Sequence, residues 1–356
     1  MSRADLLALT AELVAVPSVS HAESAMADRV QAELGPCDWL EVERVGDNVV
    51  ARTGLGRDRR LVLAGHLDTV PPAGNEVARV EGDTLYGVGS ADMKGGLAVM
   101  LDLARNLPDP ALDLTWCFYA REEVGRDESG LAELWANRPD LLAGDAAVLG
   151  EPTDARVEAG CQGTMRMVVH LAGVRAHTAR PFTGRNAIHR LAPLLERVAR
   201  FEPRQVVMDG CTYTEQLQAV HIGGGVAGNV VPDAAAVTLN YRFAPDRDSA
   251  AARAWLGALV AGLVDPDSGD RVEIVDQADG APPALDDPSL AALVAGSGEA
   301  PRAKVGWTDV ASFWAHGVPA ANFGPGDPLL AHHPDECVTR GSLERAHSVL
   351  GELLRR

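Results

Sequence analysis

The sequence has no long apolar run. Its longest, such as Ala258 to Val264, are core-sized and fall well short of the roughly 18–20 residues that a membrane-spanning helix needs. Positive charge is also scarce: 32 Lys and Arg stand against 50 Asp and Glu, a net charge of −18. A nucleic-acid binder needs a basic face to displace counterions from phosphate, and docking on anionic lipid needs the same. Neither partner is expected. The five cysteines, Cys37, Cys117, Cys161, Cys211 and Cys337, are odd in number and widely spaced, with no C-x-x-C pair. This argues against a disulfide framework or a thiolate zinc site and fits a reducing cytoplasm. The opening MSRADLLALTAELVAVPSVS carries an acid at Asp5 and lacks an uninterrupted apolar core with a small-residue cleavage site. It reads as an amphipathic helix stopped at Pro17, not as a signal peptide. No internal repeat or low-complexity segment is present.

What remains is ordinary globular usage, 46% hydrophobic and 23% charged over 356 residues. That length suits two domains, or one large domain carrying an insertion. In the first half, three β-rich runs end in polar clusters. Leu61–Ala64 leads into Gly65-His66-Leu67-Asp68, Leu114–Ala120 into Arg121-Glu122-Glu123, and Ala146–Gly150 into Glu151-Pro152. A fourth run, Asn48–Ala51, reads as a supporting strand. Gly95 to Leu107 places Leu97, Met100, Leu101 and Ala104 on one helical face. Strands alternating with helices predict an α/β/α domain on a mixed or largely parallel sheet. In open α/β sheets the site lies beyond the carboxyl ends of the strands, where His66, Glu122, Glu123 and Glu151 all fall.

The middle of the chain differs. Alternation from about Thr164, a helix over Ala187–Phe201, strands around Gln218–Ile222 and Ala236–Phe243, a helix over Ser249–Val264 and a strand over Arg271–Val275 give a β-α-β-β-α-β order. That order predicts an inserted ferredoxin-like module. The expected division is 1–162, 163–276 and 277–356, with the first and last parts forming one domain and Ala278–Pro288 as the return linker.

Each polar cluster has an ordinary reading beside a functional one. His66 and Asp68 share one face of a strand, as a satisfied core pair would, or as a metal-bound imidazole and its orienting carboxylate would. Asp92, in Gly87-Val-Gly-Ser-Ala-Asp-Met-Lys-Gly-Gly96, sits where an N-cap aspartate would sit. The glycines also permit a phosphate cradle, but the third glycine of the dinucleotide fingerprint is missing and no Gly-x-x-x-x-Gly-Lys-Ser/Thr occurs. Glu122 and Glu123 could be a solvated acidic loop. Equally, one could hold a cation while its neighbour takes a proton from the attacking water. His332, in Ala331-His-His-Pro-Asp-Glu336, supplies a second imidazole. Two imidazoles and four carboxylates suit Zn²⁺, or Mn²⁺ or Co²⁺. In a two-metal site Asp92 is the candidate bridge, because it lies on the most constrained loop.

Taken in order, Gly65-His-Leu-Asp-Thr-Val-Pro, Ala91-Asp-Met-Lys-Gly-Gly, Arg121-Glu-Glu-Val-Gly, Gly150-Glu-Pro-Thr and His332-x-x-Asp-Glu336 resemble the co-catalytic zinc peptidase/deacylase family. That family includes carboxypeptidases, aminoacylases and acetylornithine deacetylase. Gly173-Val-Arg-Ala-His177-Thr-Ala-Arg-Pro resembles its lid motif, and Gly228-Asn229-Val-Val-Pro-Asp and Asn240-Tyr-Arg242-Phe-Ala-Pro its substrate-side strands. Within the family, Glu158–Thr164, Asp209–Tyr213, Gly223–Asn229, Lys304–Asp309 and Asn322–Asp327 resemble the actinobacterial desuccinylase branch.

The resemblance implies two zinc ions bridged by Asp92, with His66 and Glu151 on one and Glu123 and His332 on the other. It implies Glu122 as general base, Asp68 orienting His66, and His177 reaching a partner subunit's site to polarise the scissile carbonyl with Asn229. Arg242 and Thr308 would meet substrate carboxylates. The chain reads Gly-Trp-Thr-Asp here, where many relatives read Gly-Thr-Ser-Asp. The implied activity is hydrolysis of N-succinyl-LL-2,6-diaminopimelate by a cytoplasmic homodimer. The alternatives are another deacylase of the family or, remotely, a non-catalytic metal- or dinucleotide-binding protein. The −18 does not oppose an anionic substrate: Asp92, Glu122, Glu123 and Glu151 contribute about −4 and two divalent ions about +4, so the acidic excess belongs mostly to the outer surface.

Overall fold

The computed structural model describes residues 5–356, and what was read of residues 1–4 lies outside them. The described residues form two compact units. One contains the chain up to Gly160 with Pro283–Arg302 and Ser312–Arg356. The other contains Cys161–Pro282 with Ala303–Ala311. The sequence pattern assigns residues 277–356 to the first domain. The structure gives Ala303–Ala311 to the second unit, where the Trp307 indole N–H donates to the Asp279 carbonyl at 3.1 Å and the Cys161 thiol to the Thr308 carbonyl at 3.7 Å.

In the first unit a mixed sheet takes, in order, Glu41–Val45, Asn48–Arg52, Asp113–Tyr119, Arg60–His66, Ala146–Leu149 and Ala320–Asn322. The Arg60–His66 strand is parallel to both of its neighbours. It is buried almost throughout, as is Asp113–Tyr119, which is why these strands read as continuous apolar runs rather than alternating ones. Their register positions the chemistry. His66 pairs with Tyr119, and Ala64 with Leu149; continued two residues, the second pairing sets Glu151 level with His66. The Gly95–Asn106 helix is buried from Gly95 through Ala104. A Cβ on Gly96 would lie 2.2 Å from the Gly150 carbonyl oxygen, so glycine alone lets the helix approach the strand end that carries Glu151. The first helix, Leu6–Val14, is capped by Asp5 and ends three residues before Pro17. Among the described residues no helix is long and apolar enough to cross a membrane.

The second unit is an antiparallel sheet in the order Gln216–Gly224, Ala234–Phe243, Gly163–Ala172, Arg271–Ala278. Alternation buries Met165, Met167, Val169 and Leu171 with Val237, Leu239, Tyr241 and Phe243, and these pack with Leu191, Leu194 and Leu256 from the two helices. The helices, Ala187–Ala199 and Ser249–Val260, are shorter than the apolar pattern suggested. The second gives way to Gly262 at φ +74°. A hairpin of Gln205–Met208 and Cys211–Thr214, turning at Asp209 and Gly210 with positive φ at both, was not anticipated.

One ion pair ties this unit together. Asp270, with a fully buried carboxylate, accepts both Arg190 guanidinium nitrogens at 2.7 and 2.6 Å, the Ala172 amide at 2.8 Å and the Asp265 amide at 2.8 Å. Burial alone would raise the carboxyl's pKa, but Arg190 and the amides outweigh it and hold it at about 2. A lowered folded-state pKa means that the stabilisation is complete above pH about 4 and is lost as pH falls toward 2. Arg190→Met should destabilise the second unit by about 3 kcal/mol, because it strands a buried charge. Urea unfolding at pH 7 checks this; a midpoint unchanged from wild type would contradict it.

Candidate metal centre

His66 ends its strand, and its ring is fixed from two sides. Nδ1 lies 3.0 Å from the Asp68 main-chain carbonyl, and Nε2 lies 3.0 Å from an Asp92 carboxylate oxygen. The Asp68 carboxylate is farther from Nδ1, at 3.6 Å. The contact expected of the Asp68 side chain is thus made mainly by its carbonyl, which leaves the carboxylate for other work. Its Oδ1 accepts the Glu122 amide and its Oδ2 the Glu123 amide, each at 3.0 Å, and Oδ2 also accepts the Ser20 hydroxyl at 2.7 Å. One residue earlier, Glu23 accepts the Arg121 amide at 3.1 Å, where Arg121 holds a left-handed φ of +61°. Two buried carboxylates therefore set the backbone direction from which Glu122 and Glu123 emerge.

Asp92 is not an N-cap. The following helix begins at Gly95 with Lys94 in the cap position and no side-chain cap bond. Asp92 itself has φ −117° and ψ 94°, outside helical values. Its carboxylate lies between the two imidazoles, 3.0 Å from His66 Nε2 and 3.5 Å from His332 Nε2. His332 also reaches Glu123 at 2.8 Å, whereas His333 turns to the Asp335 amide at 3.1 Å. Donor atoms of His66, Asp92 and Glu151 lie within 4.8 Å of one another, as do those of Asp92, Glu123 and His332. The two triads share Asp92. A third group joins His66, Glu122 and Glu123, so proximity alone does not set Glu122 apart from the ligands.

The electrostatics agree with a cation site. Burial opposes charge on His66, yet Asp68 and Asp92 raise its pKa well above the usual value. The Glu123 hydrogen bond raises that of His332 to about 9. Carboxylates in excess draw positive charge to this point, and the nitrogen and oxygen donors suit one or more divalent ions.

The glycine-rich turn does form an anion cradle, but a side chain of this chain fills it. Gly89 has φ +78°, and the amides of Gly89, Ala91 and Asp92 converge on the buried Glu336 carboxylate at 3.1, 2.9 and 2.9 Å. The amides that would have cradled a phosphate are taken, which removes the feature behind the dinucleotide reading. Lys94, 1% exposed, donates to the Val16 carbonyl at 2.8 Å. Glu336 and Lys94 occur in the motifs above without a role of their own, and Glu23 and Ser20 are not marked in the sequence. The signal for Glu336 was the turn itself, since a nest of amides requires an anion.

In the second unit His177 and Asn229 are neighbours. His177 bridges Val230, and the Thr178 amide donates to the Asn229 carbonyl at 3.1 Å. Both side chains are exposed. His177 Nδ1 accepts the Ala179 amide at 3.0 Å, which places the proton of the neutral ring on Nε2. Arg242 lies half-buried on Ala234–Phe243, in register with Thr164 and Gln216, and Thr308 is buried.

Residues 62–356 match the model of peptidase family M20/M25/M40. The chain belongs to that family. It is 50% identical over 353 residues to a Mycobacterium tuberculosis protein provisionally described as a succinyl-diaminopimelate desuccinylase, covering 99% of this chain and 98% of that one. It is 44% identical over 343 residues to the succinyl-diaminopimelate desuccinylase of Corynebacterium glutamicum, covering 93% and 91%. In fold it is similar to the aminopeptidase PepT of Bacillus cereus, with a TM-score of 0.80 at 17% identity over 100% and 98% of the two chains. This M20/M25/M40 member is a metal-dependent hydrolase of amide bonds.

Asp68→Asn keeps the volume but turns a donor toward one of the two amides that the carboxylate accepts. Metal retention and kcat should each fall about 10–100-fold. Chelator titration and steady-state kinetics check this, and wild-type values for both would exclude an anchoring role.

Proposed function

We propose that the protein hydrolyses N-succinyl-LL-2,6-diaminopimelate to succinate and LL-2,6-diaminopimelate in the cytoplasm, within lysine and diaminopimelate synthesis. The observation that carries the reaction is the pair of donor triads sharing Asp92. The near full-length likeness to desuccinylases supports the substrate. In this reading His66, Asp92 and Glu151 would hold one ion, and Asp92, Glu123 and His332 the other. Two zinc ions, with cobalt or manganese as substitutes, would supply Lewis acidity at the amide carbonyl and lower the pKa of the attacking water.

Glu122 serves as the proton carrier. It takes a proton as water oxygen bonds to the carbonyl carbon, and returns it to the amine nitrogen as the C–N bond breaks. His177 donates from Nε2 to the developing oxyanion, a role for which its accepting Nδ1 leaves the correct tautomer, with Asn229 as a second donor. Arg242 and Thr308 meet substrate carboxylates. A guanidinium matches a carboxylate in planar, bidentate geometry. The second unit pairs with its copy in a homodimer, and His177 acts in the partner's site.

A panel of N-succinyl-diaminopimelate, N-acetylornithine and N-acyl amino acids, at equal concentration with zinc, tests the substrate. The succinyl compound should give the highest kcat/KM by at least an order of magnitude, and preference for another acyl group would reassign the chain within its family. Glu122→Gln should keep its metal and lose about 10²–10⁴-fold in kcat; activity near wild type would remove Glu122 as the base. His177→Ala should lower kcat without lowering metal content. Mixed with Glu122→Gln, it should recover part of the activity, because one site in the mixed dimer then has both groups. No recovery would argue against a shared site.

A further inference from the structure

Glu336 has no role in the mechanism above, yet its side chain is only 1% exposed and its bonds reach both halves of the candidate centre. Its Oε1 accepts the amides of Ala91 and Asp92, both at 2.9 Å, and its Oε2 accepts that of Gly89 at 3.1 Å. Its main chain is equally committed. The Glu336 carbonyl accepts the Gly87 amide at 3.1 Å, extending the ladder in which Cys337–Thr339 pairs with Thr84–Tyr86. The Glu336 amide donates to the His333 carbonyl at 3.0 Å, next to His332. Asp92, by contrast, gets no help from the helix that follows, since its backbone is non-helical and that helix starts at Gly95. The peptide plane from which the Asp92 carboxylate projects is therefore set by the bonds to Glu336.

We propose that Glu336 is a positioning residue that joins the Asp92 turn and the His332 loop into one rigid piece, so that a change at Glu336 itself weakens both metal subsites. This rests on the reading that Asp92 serves both triads. A carboxylate is required because the cradle offers donors only. Glutamine at this position keeps the shape, but its –NH₂ must face an amide N–H on one side, leaving that donor unmet and pushing it away. Aspartate keeps the charge but lacks the methylene that lets both oxygens reach.

The test uses the full chain, stripped with chelator and titrated with Zn²⁺ by calorimetry, with parallel Co²⁺ absorption spectra. Wild type should bind two equivalents. His332→Ala should lose one and keep the other near wild-type affinity. Glu336→Gln, with an unchanged far-ultraviolet circular dichroism spectrum, should weaken both equivalents about 10–100-fold and alter the Co²⁺ band. Simple loss of stability would not produce that spectral change in a folded variant. If Glu336→Gln binds two equivalents as wild type does, with the same Co²⁺ spectrum, the proposal is overturned while the two-subsite reading stands. If wild type binds fewer than two, the shared role of Asp92 fails first and takes the proposal with it. Should Glu336→Gln not fold, Glu336→Asp decides in the same titration: weakening at both subsites supports the proposal, and wild-type binding overturns it.

Discussion

A carboxylate that is buried must be answered by donors, and in the first unit the donors are largely backbone amides. Asp68, Glu23 and Glu336 sit at 0, 0 and 1% exposure; Asp68 and Glu336 each accept two or more amides from a loop distant in sequence, and Glu23 accepts that of Arg121. The cost of leaving such a group unmet is what makes these loops adopt one shape. The side chains of the candidate metal centre are then carried by segments whose main chain has little freedom. The helix–strand contact at Gly96 and Gly150 does the same by close packing rather than by charge.

The division of labour follows from this. Parallel strands bring His66, Tyr119 and Leu149 to the same carboxyl end of the sheet, with Tyr119 level with His66 and Leu149 level with Ala64. Sheet geometry cannot choose the direction of a side chain two to four residues beyond the last ladder bond. That choice falls to the buried carboxylates. Arg121 is held at a left-handed φ, a backbone conformation that a non-glycine residue keeps only where its surroundings enforce it.

Much of this was legible in the sequence. The strands ending at His66, Tyr119 and Leu149 show as apolar runs because both sheet faces are covered. The second unit shows as alternation because only one face is. In the candidate centre, His66, Glu122, Glu123 and Glu151 stood out by lying at or just past strand ends, whereas Asp92 and His332 stood out only by residue type in a glycine-rich turn and a polar loop. What escaped had physical reasons. The Asp209-Gly210 turn carries the strongest short hairpin signal, but its flanking strands are too short to display a period. Asp92 resembles a helix cap in sequence because a cap and a pre-helix turn use the same residue. Glu336 could not be linked to Gly89 from spacing, since they lie 247 positions apart and meet only through a ladder of three residues on each side. The Ala303–Ala311 segment follows a helix of the first unit and gives no compositional sign that it belongs to the second.

That last segment changes what would count as a module in this chain. An insertion is ordinarily excised by cutting at two points. Here the chain passes between units at residues 160/161, 282/283, 302/303 and 311/312, so four cuts are needed. A chimaera that borrows Cys161–Pro282 alone would leave Thr308 and Trp307 behind in the host, still carrying the host's version of that loop. Moving the second unit between relatives, by recombination in nature or by grafting at the bench, therefore requires two separate pieces of gene to travel together.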